Sequence, residues 1–247
     1  MFYSYTVRRW PLRFLRISLL LLLLVLPEGP LFAAPPVEDF QGRFAGTKVP
    51  NETSAQETIV ARLQARYDET DGFRADFVQE ITSATLGQTL RSRGQVFFKK
   101  PGRMRWEFTE PQQLLIADGS ALWLYQPAER QVVKTPFQHA FSSQTPVSFL
   151  TGVGRLEEDF SVLPQGETSS VYQLRLTPKQ AAEAIGLLDI EVSKETFDIL
   201  QALVTDPLGN TTRVSFTNIE RETALGDDLF RFELPPGIDL VEPLPDL

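Results

Sequence analysis

The stretch Gly94-Gln-Val-Phe-Phe-Lys-Lys-Pro-Gly-Arg-Met-Arg-Trp106 decides the fold. Val96 and Phe98 lead into Lys100-Pro101-Gly102, a turn, and Met104, Trp106 and Phe108 then alternate with Arg103, Arg105 and Glu107. Period two puts the apolar set on one face of a strand and the charged set on the other. The Pro-Gly turn sends the chain back antiparallel to itself. Upstream, Phe73, Ala75 and Phe77 alternate with Arg74 and Asp76, and Gln79 follows on the apolar face. Downstream, Asp118-Gly119 stands between 114–117 and 120–125. It predicts a two-residue hairpin, because glycine accepts the positive φ of a type I′ turn.

Further strands are predicted at 132–133, 160–163, 171–176, 187–192, 200–205, 211–217 and 229–233. About eleven strands joined by short turns make an antiparallel sheet. Helical signals are few. Ser54 and Glu57 form a capping box, and Ile59, Val60, Leu63 and Tyr67 recur at helical spacing, so a short amphipathic helix covers one end of the sheet. Thr145-Pro146 opens a second helix through Phe149 and Leu150 to Gly152, and Thr177-Pro-Lys-Gln180 caps a third near 181–185.

The N-terminus has a different character. Arg8, Arg9, Arg13 and Arg16 precede an apolar run at 17–26, followed by Pro27, Gly29, Pro30 and Ala33-Ala34. A basic segment, a short apolar core and small residues describe a secretory signal peptide, too short to span a membrane comfortably; the alternative is an uncleaved anchor, since neither Leu31-Phe32-Ala33 nor Phe32-Ala33-Ala34 has the small-x-small form. The sequence thus divides into a signal peptide (1–34), a Pro-rich linker (35–52) and one domain (53–247). Removing 1–34 takes away four arginines and one acid, so the net charge falls from −8 to −11. Such a chain is repelled by nucleic acid and by anionic membrane surfaces. With no cysteine, an exported fold rests on core packing alone.

Nothing in the sequence announces chemistry. The one histidine, His139, has no nucleophile elbow or orienting acid beside it. One histidine and no cysteine give no ordinary zinc site, and no phosphate loop or other cofactor motif is present. Glu157-Glu158-Asp159 and Asp227-Asp228 read as solvated runs. The chain is therefore expected to be no enzyme. Two arrangements of the apolar face remain open: a barrel or sandwich filled by its own side chains, and a broad sheet under scanty helices that leaves a cavity.

The runs at 72–79, 94–106 and 118–127 resemble the outer-membrane lipoprotein carrier protein (LolA) family, as do Thr145-Pro146, Phe149-Leu150, residues 176–179, 206–210 and 230–237. The likeness covers roughly 54–240. It implies an unclosed, half-barrel antiparallel sheet of about eleven strands with a lid of short α-helices, and a hydrophobic cavity between them. It further implies a periplasmic monomer that takes lipid-modified proteins from an inner-membrane ATP-driven exporter to an outer-membrane acceptor. Phe73, Phe77, Val96, Phe98, Met104, Trp106 and Phe108 are then expected to line the cavity. Phe149 and Leu150 fall on the lid, and Lys100 stands where better-known members have a latching Arg. A lysine keeps the charge without the rigid fork of donors. The alternatives are a periplasmic sensing or binding domain of the same shape and a carrier of another lipid. The chain ending soon after residue 240 favours the stand-alone carrier over a two-domain sensor.

Overall fold

The computed structural model describes residues 7–10, 52–137, 155–179, 187–221 and 224–243. Helix α1 (Glu52–Asp68) precedes β2 (Gly72–Thr82), β3 (Thr89–Lys99), β4 (Arg103–Glu110), β5 (Gln112–Asp118), β6 (Ala121–Gln126) and β7 (Gln131–Pro136). One helical turn, α2 (Leu156–Asp159), leads into β8 (Phe160–Glu167), β9 (Val171–Pro178), β10 (Leu187–Ser193), β11 (Ile199–Thr205) and β12 (Thr211–Arg221). A 3-10 turn (Asp227–Phe230) and β13 (Asp239–Pro243) complete the described chain, and a short β1 (Val7–Trp10) precedes everything.

Among the described residues all strands lie in one unclosed sheet, ordered β1-β13-β7-β6-β5-β4-β3-β2-β12-β11-β10-β9-β8. It has twelve strands without β1, one more than the sequence predicts. Two hairpin meanders, β2–β7 and β8–β12, join where β2 pairs antiparallel with β12, Phe77 opposite Phe216. The described apolar residues of the two meanders then form one continuous buried cluster, running from Phe73 to Leu124 and from Phe160 to Phe216.

Four local expectations are corrected. The β5–β6 hairpin has its positive φ at Gly119 alone, with Ser120 beside it, so the turn is type II′ in pattern rather than I′. Residues 229–233 form no strand: the chain crosses the outer face of the sheet there. Phe230 is buried, Phe232 stacks on Trp123 at 5.3 Å, and Arg105 Nη1 donates to the Leu229 carbonyl at 3.1 Å. A strap with one buried side has the same period-two pattern as a strand, which is why the sequence misleads. The last strand is β13, and it runs parallel to β7. Thr177 and Pro178 finish β9 rather than capping a helix. The helices expected at 145–152 and 181–185, with His139, lie outside the described residues.

Three carboxylates fasten turns and neighbouring strands. Burial pushes the Asp118 carboxyl up, but donors from the Ser120 and Trp123 side chains and the Ala121 and Ser120 amides outweigh it, so its pKa falls below the ordinary 3.8. Asp76, bonded by Asn218 and Gln95, and Asp227, bonded by Lys99 and Arg103, are lowered as well. A carboxyl lowered in the folded state contributes stability that is complete above its unfolded pKa and lost as pH falls through the folded one. The urea midpoint should therefore hold steady from about pH 7 to about pH 5 and drop below about pH 4, with a smaller drop in Asp118→Asn.

Candidate binding site

The inner face of the sheet carries the aromatic residues expected to line a cavity. Phe73, Phe77, Val96, Phe98, Met104, Trp106 and Phe108 all point to this face and are all buried. They touch one another: Phe73–Phe98 centroids lie 4.8 Å apart, Phe77–Trp106 4.7 Å and Phe77–Phe108 5.0 Å. Edge-on and tilted contacts of this kind suit aromatic quadrupoles. Phe216, brought in from β12, stands 6.1 Å from Trp106. The second meander contributes Leu174, Leu176, Leu188, Ile190 and Val204. Sequence reading assigned those residues to strands but not to the site. Their arrival depends on the β2–β12 pairing across more than a hundred residues, which no local pattern encodes.

Helix α1 covers this face. Val60, Leu63 and Tyr67 enter the core at the spacing that their sequence predicts, and Tyr67 sits edge-on to Phe73 at 6.4 Å. The α2 residue Leu156 is fully buried beside them, and its amide donates to Gln64 Oε1 at 2.9 Å. Between α1 and the sheet, a cavity of about 10 Å³ remains, lined by residues including Tyr67, Phe73, Ile199 and Phe216. That is room for about one water, whereas an apolar hollow that admits benzene measures about 150 Å³. At this place the described side chains pack against one another and leave no room for an acyl chain.

The C-terminal end of α1 is fastened by polar bonds. Lys100 Nζ donates to the carbonyl oxygens of Tyr67 and Asp68, the latter at 3.2 Å. A cation at this end also meets the negative pole of the helix. Lys100 thus lies on α1, while Phe149 and Leu150 lie outside the described residues. A second fastening joins three elements. Arg221 of β12 pairs with Asp198, which lies before β11, and Arg66 of α1 stands 3.9 Å from the same carboxylate. The Ile199 amide donates to the Tyr67 hydroxyl at 3.3 Å, and burial pushes the Tyr67 pKa up to about 12. This cluster was not legible in the sequence, since its members are 132 and 155 residues apart.

An unclosed, largely antiparallel sheet with one apolar, aromatic face, under a helix whose end is held by a few polar bonds, defines a half-barrel with a helical cover. The sequence profile of the family described as "Outer membrane lipoprotein carrier protein LolA" matches residues 68–233, and the chain belongs to this family. An outer-membrane lipoprotein carrier protein of Methylococcus capsulatus is 29% identical over 191 residues, covering 77% of this chain and 90% of its own. The protein of the same description from Dechloromonas aromatica is 31% identical over 169 residues, covering 68% and 80%. Among solved structures, an uncharacterized conserved protein from Thermus thermophilus superposes with a TM-score of 0.50 at 15% identity, covering 77% of this chain and 99% of its own.

Proposed function

We propose that the protein is a periplasmic carrier that receives the acyl chains of a lipid-modified protein between its sheet and its cover, without chemistry of its own. In this reading residues 1–34 are an export signal, 35–52 a linker and 53–247 the carrier domain, and β1 exists only in the precursor. The carrier stands between an inner-membrane exporter and an outer-membrane acceptor. Family membership over residues 68–233 carries the reading. The similarity to outer-membrane lipoprotein carrier proteins supports lipoproteins as the cargo.

The energetics suit the task. A sixteen-carbon chain in water represents about 12 kcal/mol of unfavourable exposure, so crossing an aqueous space needs an apolar host. A host that bound the chain with that full energy would not let go. Here the empty interior is satisfied by its own aromatic contacts, so cargo must displace α1 and break those contacts. The closed empty state competes with cargo, and that competition lowers net affinity enough for onward transfer. Native mass spectrometry of the protein purified from its own periplasm should find acyl-bearing species attached. A bare polypeptide mass, together with failure to take up a synthetic lipidated peptide, would overturn the reading.

Lys100 is the latch in this scheme, acting on α1. Lys100→Leu removes two charge-assisted bonds and should destabilise the closed empty state by about 1–2 kcal/mol. By linkage the variant should bind lipidated peptide about five- to thirtyfold more tightly and hand it on more slowly. Unchanged affinity and transfer would show that Lys100 fastens the helix without governing loading.

A further inference from the structure

Gln79 stands on the inner face of β2, opposite Ser92 of β3 and Val214 of β12. Its strand neighbours on that face are Phe77 and Ile81, both buried and apolar. Gln79 itself is 4% exposed, and its Oε1 has no hydrogen-bond partner. Among the described residues it is the only buried side-chain oxygen in this condition. The contrast with other buried polar residues is informative. Gln126 accepts from Gln131 Nε2 at 2.9 Å, and Asp198 takes Arg221.

A buried carbonyl left without a donor weakens the folded protein, and leucine would fit the surrounding chemistry better. In the empty protein this oxygen makes no hydrogen bond, and a state in which a donor arrives would explain it. Acyl chains bring none. An amide linkage does: its N–H is a donor that an ester lacks, and the Gln79 Oε1 is an acceptor placed for one.

We propose that Gln79 recognises the linkage of the cargo: its Oε1 accepts a hydrogen bond from the N–H of an amide-linked acyl chain and so favours N-acylated over ester-linked ligands. This rests on the carrier reading and specifies its ligand. The inference requires opposite effects of Gln79 on the empty and the loaded protein, which a merely structural glutamine would not produce.

The test uses two probes that differ in one atom: N-hexadecanoylglycine methyl ester, and the ester analogue in which oxygen replaces the N–H. The wild-type full chain should bind the amide about tenfold more tightly, the ratio that one well-made hydrogen bond to a buried acceptor supports. In Gln79→Leu, and in the more flexible Gln79→Met, the ratio should fall to about one while the unfolding midpoint of the empty protein rises. Equal binding of both probes by the wild type, or a ratio unchanged in both variants, overturns the proposal and leaves the carrier reading intact. Binding of neither probe overturns both.

Discussion

Met104→Glu is expected to abolish loading of lipidated cargo and to destabilise the empty protein sharply. Met104 is 1% exposed on the inner face, opposite Phe98 and Ala117, in the centre of the aromatic cluster. An unpaired carboxylate there loses its hydration and finds no cation among these neighbours. The penalty for such a charge is about 3–5 kcal/mol. The sign with pH is distinctive. Burial raises the pKa of the new carboxyl above its unfolded value of about 4.3, so the variant is least impaired at low pH and loses stability as pH rises. Urea unfolding at about pH 4.5 and about pH 8 should separate variant from wild type, with the gap widening at the higher pH. Binding of a fluorescent lipidated peptide reports loading. A variant that loads normally would show that cargo does not enter between sheet and cover.

Gly94→Ala should be nearly as damaging, for a steric reason that has nothing to do with cargo. The register of β3 on β4 shifts between Arg93 and Gly94, and the backbones approach closely there. A Cβ on Gly94 would lie 1.8 Å from the Glu107 carbonyl oxygen, which is main chain and cannot swing away. The two strands must part or the irregularity must move, disturbing Phe77 and Phe108, which flank Gly94 in register. A loss of about 3 kcal/mol is expected, near the upper end for overpacking because backbone meets backbone. Thermal unfolding of a domain this size should drop by roughly 6–12 °C. A shift of less than about 2 °C would show that the irregularity relaxes freely. Any binding defect of this variant should disappear in the fraction that remains folded, which distinguishes it from Met104→Glu.

The two variants mark different depths of legibility. Met104 was readable as an inward residue from its own alternation with Arg103 and Arg105, since a pleated strand needs no further information to sort its faces. The close approach at Gly94 was not readable, because it depends on where β4 bulges against β3. Residues 229–233 failed for a related reason. Alternation reports that one side of an extended chain is buried, and Phe230 and Phe232 do bury one side, but against the outer face of the sheet rather than within the ladder. Lys100 was readable as a cation beside a turn, whereas its partners, the carbonyls of Tyr67 and Asp68, follow only from where α1 docks.

The sequence by itself determined the local periods: strands of period two, a helix whose Val60, Leu63 and Tyr67 share a face, and the inward set from Phe73 to Phe108. Family membership was legible as well, because it rests on the order and spacing of short local runs. Tertiary structure alone decided that β2 pairs with β12, that Asp198 meets Arg66 and Arg221, that the cavity beside Tyr67 and Phe73 is only about 10 Å³, and that Gln79 is buried with an unanswered acceptor. The physical reason is range. Alternation and capping act between residues a few positions apart, whereas pairing partners, cavity volume and hydrogen-bond satisfaction are properties of surfaces assembled from distant parts of the chain.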